Sequence, residues 1–131
     1  MAKYSKRLFL SALATAMFSG MLNAENISLS TPNTSHVVDA TKGGTFKFVY
    51  YGDRLSASDI ASLQSSGTSG KDAYPVYGLS GASEAALSVR HADGNMTLQM
   101  DVDNISETSE QHAKVLKVRL KDRQYPFFVT V

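Results

Sequence analysis

Apolar and polar positions alternate along most of this chain, and that alternation predicts strands. The longest such stretch runs from Ala85 to Val102. At its middle, Asp93-Gly94 suits a two-residue type I′ turn, which needs positive φ at both positions. That turn sets His91 opposite Met96, Val89 opposite Leu98, Leu87 opposite Met100 and Ala85 opposite Val102. On the other side Arg90 and Ser88 meet Thr97 and Gln99. Apolar then faces apolar for the whole length, and a one-residue slip would undo it. The reading is a half-buried antiparallel hairpin that needs a second layer.

The rest of the chain gives further short elements. Ile27 and Leu29 alternate with Asn26, Ser28 and Ser30 in a strand that Pro32 ends, and His36-Val37-Val38 makes another extended piece. Thr45 to Tyr51 is the most β-prone run, with Phe46, Phe48 and Tyr50 on one face, and reads as a central strand. Ser56 is an N-cap with Asp59 three residues on, and Leu55 and Ile60 form a staple, predicting a helix from Ala57 to Gln64. Ser65 to Gly70 is a small polar loop. Tyr74 to Leu79 is extended, although Pro75 confines it to an edge, and Ser80-Gly81 turns. Asp103 to His112 reads as a polar, acidic connection. Lys114 to Lys121 alternates strictly, Leu116, Val118 and Leu120 inward and Lys117, Arg119 and Lys121 outward. Asp122 to Gln124 turns, and Tyr125 to Val131 is the last strand, with Tyr125, Phe127, Val129 and Val131 on one face. Seven or eight short strands and one short helix point to an antiparallel β-sandwich of Ig-like type.

The first 24 residues are set apart from this pattern. Lys3, Lys6 and Arg7 precede an apolar run from Leu8 to Phe18, and Ala24 follows at a cleavage position, the layout of a secretory signal peptide. The expected organisation is a leader over 1–24 and a single β domain over 25–131, placed in the periplasm, on the cell surface or outside the cell. No later segment is long and apolar enough for a transmembrane helix. The leader also decides how the charge is read. The chain has 13 basic and 12 acidic residues, and three of the basic ones lie in the leader, so the remainder carries −2. Nucleic acid is therefore not an expected partner. There is no cysteine, which excludes disulfides, thiolate metal sites and thiol nucleophiles and leaves the fold resting on its core.

Few residues suggest chemistry. Lys117, Arg119, Lys121 and Arg123 line one strand face, a ridge suited to an anionic glycan or an acidic protein surface; the same lysines would also protect a sheet edge from pairing. Asp101-Val102-Asp103-Asn104 starts like a calcium loop, but Ser106 stands where glycine is required and His112 where glutamate is. The hairpin register points His91 and Asp101 to opposite faces and makes His91 a cap on the core margin. Gly78 to Gly81 lacks the spacing of a nucleophile elbow, and no H-E-x-x-H pair occurs. No enzyme, cofactor or metal site is expected. Asn26, Asn33, Asn95 and Asn104 each begin an N-x-Ser/Thr sequon.

The ending Tyr125-Pro126-Phe127-Phe128-Val129-Thr130-Val131 resembles the final strand of bacterial fimbrial subunits and related Ig-like secreted domains. In the chaperone–usher family the resemblance implies donor-strand exchange, with like subunits and a periplasmic chaperone as partners. The donor would be Glu25 to Thr31, with Ile27 and Leu29 as plug residues. The segment is short for that role, and the disulfide common in such subunits is missing. The expected function is a non-enzymatic exported β-sandwich acting by recognition of a protein or glycan surface or by assembly, in the manner of a fimbrial or adhesin-like subunit. The alternative is a free-standing periplasmic binding or inhibitor module.

Overall fold

The computed structural model describes residues 26–65, 70–78, 84–111 and 113–131. The leader, Glu25, residues 66–69 of the polar loop, the Ser80-Gly81 turn and His112 lie outside the described residues. What is described is predominantly β: seven strands in two antiparallel sheets, with one short helix. The first sheet has the order β1 (Ile27–Ser30), β2 (Thr34–Asp39), β3 (Lys47–Asp53) and β4 (Lys71–Asp72). The second has the order β5 (Met100–Glu110), β6 (Ala113–Asp122) and β7 (Phe128–Thr130). Among the described residues no helix is long and apolar enough to cross a membrane.

Local chemistry sets the first sheet. The Thr31 hydroxyl accepts from the Thr34 N–H at 3.0 Å, and the Thr31 N–H donates to the Thr34 carbonyl at 2.9 Å. This turn closes β1 on β2 around Pro32, whose fixed φ suits it. After β3, helix α1 (Ala57–Ser65) begins where the capping pair predicts. The Ser56 Oγ accepts from the Asp59 N–H at 3.2 Å, and the Asp59 Oδ2 accepts from the Ser56 N–H at 3.0 Å. Hydrogen bonds from the Ser56 side chain and then its backbone hold the Asp59 carboxyl below its usual range. Ile60 and Leu63 are half-buried.

Both sheets bury one common cluster. Ile27, Val38 and Ala40 come from the first sheet and its edge, and Met100, Val102, Val118 and Leu120 from the second. Val76 and Leu98 join from the segments between them. The sheets are also tied through the backbone: the Gly43 N–H donates to the Val102 carbonyl and the Val102 N–H to the Gly44 carbonyl, both at 2.8 Å. On β6 the inward–outward alternation holds, with Val118 and Leu120 each 1% exposed and Lys117, Arg119 and Lys121 in solvent.

Four expectations need correction. Asp103 to His112 is not a connection up to its last residues, because β5 continues to Glu110 and pairs with β6 as far as Glu110↔Ala113. Its polar residues have weak intrinsic strand preference, but they lie against the alternating apolar and basic residues of β6, and pairing overrides propensity. The face assignment on β3 also changes. The register steps from Val37↔Tyr50 to Val38↔Phe48, leaving Val49 as an extra residue. After such a bulge the alternation shifts by one, so Phe48 shares a face with Tyr51 rather than with Tyr50. The ring of His36 lies 5.7 Å from Phe48 and 5.9 Å from Tyr51, on that same face. β3 does run between β2 and β4, yet none of its residues is buried.

The third correction concerns the long hairpin. His91 pairs with Asn95 through its N–H (2.9 Å), and the Gly94 N–H donates to the His91 carbonyl (2.9 Å), a three-residue loop. Only Gly94 of the two turn residues has positive φ, at 88°, so the turn is a type I turn followed by a left-handed glycine, not type I′. The Asp93 Oδ1 accepts from the Asn95 N–H at 2.9 Å and stabilises that choice. Beyond the tip the arms do not pair along their length. Tyr77 lies between them, its N–H donating to the Leu87 carbonyl and its carbonyl accepting from the Leu98 N–H, each at 3.0 Å. The fourth is that Tyr74 to Gly78 forms only isolated bridges, at Val76 and Gly78, while β4 precedes it at Lys71. At the C-terminus Phe127 and Val129 pack on the core as expected, whereas Val131 is 43% exposed and pairs through its backbone with Val118.

Candidate functional site

The basic ridge stands where the alternation puts it, on the solvent face of β6 and the turn after it. Each of three cations meets a carboxylate from β5. The Lys117 Nζ is 3.4 Å from Glu110, the Arg119 Nε donates to the Asp103 Oδ2 at 2.6 Å, and Arg123 holds Asp101 through two bonds of 2.6 and 2.8 Å. The hydrogen bond to Asp101 and then its charge push the Arg123 guanidinium above its ordinary value. Lys121 and Arg119 also sit over the exposed Phe128 ring, 5.9 and 5.3 Å from its centre. Four residues read as one positive stripe thus lie in a mixed field of alternating sign. The residues that balance them were legible in type but not in place, because Asp103 to Glu110 does not read as a strand.

The two plug residues lie in β1. Ile27 is 7% exposed, opposite Val38 in the common core, and Leu29 is half-buried opposite His36. Among the described residues β1 has β2 as its one neighbour, and no strand lies on its outer edge.

A polar cluster surrounds the hairpin tip. The His91 ring stacks on Tyr125 with centres 3.6 Å apart and planes 8° from parallel, and Phe127 meets it edge-on at 6.3 Å. The Tyr125 hydroxyl donates to the Asp93 Oδ2 at 2.6 Å and accepts from the Asn95 Nδ2 at 3.0 Å. The Tyr125 hydroxyl, and then the Asn95 backbone N–H, hold the Asp93 carboxyl below its usual range, and the bond to Asp93 pushes the Tyr125 hydroxyl up against the opposing effect of the Asn95 side chain. The His91 Nε2 is buried and has no hydrogen-bond partner among the described residues. Asp122, 1% exposed, lies under the same turn. Burial raises its pKa, but the N–H groups of Gln99 (3.0 Å), Gln124 (2.8 Å) and Tyr125 (3.0 Å) outweigh burial, and it stays ionised below the ordinary range. Among the described residues no group of three side chains could hold a metal ion. The cluster is a joint that fixes the β6–β7 turn to the hairpin tip.

The open feature is a cleft of about 290 Å³ where β3 and β4 fail to meet the start of β5. Phe46, Tyr74, Val76, Leu98, Met100 and Leu120 form its apolar wall. Lys47, Asp72, Asp101 and Arg123 stand among its polar lining. The backbone contributes as well. Gln99 turns towards β6, its carbonyl accepting from the Arg123 N–H at 3.0 Å, and Val102 turns the other way, to Gly43 and Gly44. Backbone groups of successive strand residues point to opposite sides, so the N–H and C=O of Met100 point as those of Val102 do, away from β6 and into the cleft. Neither has a hydrogen-bond partner among the described residues.

No family model matches this chain, and no curated protein does either. The cleft therefore has to be read from its own chemistry. It can strip water from an apolar group, and it offers one backbone donor, one backbone acceptor and charges of both signs. The sequence carried no local signal for it, because its walls come from four separate stretches around residues 45–47, 72–76, 98–101 and 120–123.

Proposed function

We propose that this chain is an exported, non-enzymatic β-sandwich module of Ig-like type that works by recognition, taking part of another molecule into the cleft between its sheets. The leader-like N-terminus supports export to the periplasm, the cell surface or the medium. The common core drawn from both sheets supports the sandwich. The observation that carries the binding role is the cleft itself, apolar inside, charged in its polar lining and open where a closed pair of sheets would have none. This favours the free-standing binding module over a module that acts through its basic ridge, three of whose four cations are already paired with carboxylates.

The test uses anilinonaphthalene sulfonate, a probe with an apolar body and one anionic group, added to the chain as secreted. Saturable fluorescence enhancement at one site is expected. Thr45→Trp, an exposed position on the cleft lining, should abolish it by filling the opening without touching the core. No enhancement, or enhancement indifferent to Thr45→Trp, would overturn the reading.

The outer edge of β1, unpaired among the described residues, favours a second reading, assembly as a fimbrial or adhesin-like subunit. Donation of this strand to a neighbour would require withdrawing Ile27 from the core. Polymers of the secreted chain that are lost on Leu29→Asp would support assembly. A monomer whose β1 amides resist hydrogen exchange would sink it.

A further inference from the structure

The proposal above leaves the ligand's chemistry open, and the backbone of the cleft narrows it. Met100 presents an N–H and a C=O side by side, neither with a partner among the described residues, at the margin of a space walled by Phe46, Tyr74 and Leu98. A ligand that donates to one and accepts from the other at strand spacing must carry the same pair of groups on a single unit. That is the pattern of one antiparallel residue pair. Water can serve these two groups while the cleft is open, but a purely apolar ligand would cover them and leave them unsatisfied, which is costly. The volume limits the size. About 290 Å³ lies at the lower end of small-molecule sites, which run from roughly 300 to 1,000 Å³, and leaves room for one residue and its flanking amides rather than a length of strand.

From this geometry we infer that the cleft is selective for an N-acylated hydrophobic amino acid unit, held by two hydrogen bonds to the Met100 backbone with its side chain on the apolar wall. This inference rests on the cleft being a binding site at all. Met100 itself is 9% exposed and belongs to the core, so its side chain is scaffold and its main chain is the recognition element. The charges of Lys47, Asp72, Asp101 and Arg123 sum to zero, so the lining does not require a charged ligand and is compatible with a neutral amide.

The probe is N-acetyl-phenylalanine N-methylamide, and its control is the same molecule methylated on the phenylalanine nitrogen, which keeps the apolar surface and loses the donor. Displacement of anilinonaphthalene sulfonate from the secreted chain should favour the unmodified compound by roughly tenfold, the expected cost of one covered and unanswered carbonyl. In a proton–nitrogen correlation spectrum the Met100 amide should move downfield with that compound and not with the control. Equal displacement by both compounds, or a Met100 amide that does not shift, overturns the inference. If the fluorescent probe binds at the cleft and neither compound displaces it, the ligand class is wrong and the binding role stands. If the fluorescent probe fails to bind, both fall together.

Discussion

Replacing Asp122 with Asn tests whether a buried charge fastens the β6–β7 turn to the rest of the second sheet. The Asp122 Oδ1 accepts from Gln124 and Tyr125 in the turn, and its Oδ2 accepts from Gln99 just before β5. Asparagine has one oxygen for these three donors. Its least costly orientation keeps the two turn bonds and points the amide at the Gln99 N–H, donor against donor. A hydrogen bond to a charged group contributes about 1.5–3 kcal/mol and an ordinary one about 0.5–1.5. Losing one charged bond and weakening two, less the desolvation that the neutral side chain avoids, gives a cost of about 2–3 kcal/mol. For a domain of this size that lowers Tm by roughly 10–20 °C. The pH dependence has a definite sign. The folded carboxyl titrates below the ordinary 3.8, so its contribution is complete above the unfolded pKa and disappears as pH falls through the lower folded value. Urea unfolding at pH 7 should therefore separate wild type from Asp122→Asn by that amount, and the gap should narrow below about pH 4. A gap under about 0.5 kcal/mol at pH 7, or one that widens in acid, would refute the reasoning.

Other outcomes follow from the same structure. Leu120→Ala removes a side chain that is 1% exposed from the shared cluster and should cost about 2–5 kcal/mol by urea unfolding, with the denaturant slope unchanged. Tyr125→Phe removes the hydroxyl that donates to Asp93; the Asp93 carboxyl should then titrate higher, closer to its ordinary value, which carbon-detected NMR titration reads directly, and an unmoved Asp93 would show that the bond is absent in solution. Gly94→Ala meets nothing within 4 Å, so its cost is the left-handed backbone alone, about 1 kcal/mol by thermal or urea unfolding, and Gly94→Asn should cost less because asparagine tolerates that conformation.

The strands that alternate strictly were legible because one face is buried and the other wet. β6 is the clearest case: Val118 and Leu120 go inside and the three cations outside, as spacing alone requires. The helix was equally legible, since a capping pair is a local device whose partners lie three residues apart. β5 was not. Its outer half, from Asn104 to Glu110, has one large apolar residue, Ile105, so neither period nor propensity marks it. It forms because its backbone completes a ladder of hydrogen bonds to β6, to which the exposed pairs of Glu107 with Lys114 at 3.2 Å and Glu110 with Lys117 at 3.4 Å add little. That information lies in the partner strand, beyond the reach of a window that sees one segment at a time.

The hairpin between Ala85 and Val102 shows how a correct composition can still give the wrong partners. Its apolar residues do turn towards the core: Leu87 and Val89 pack against the cluster, and Leu98, Met100 and Val102 belong to it. The error was in register, and its source is the turn. Asp93-Gly94 satisfies a two-residue loop only if aspartate accepts positive φ, whereas its carboxylate gains bonds from Asn95 and Tyr125 by keeping φ negative. A three-residue loop follows, and the strand arms that a type I′ turn would have zipped together part around Tyr77. The consequence reaches the candidate site. In the ladder that a type I′ turn would set, Ser88 and Gln99 would form a hydrogen-bonded pair and Leu87 and Met100 a non-hydrogen-bonded one. Here Gln99 bonds to Arg123 instead, and Met100 lines the cleft together with Phe46 and Tyr74.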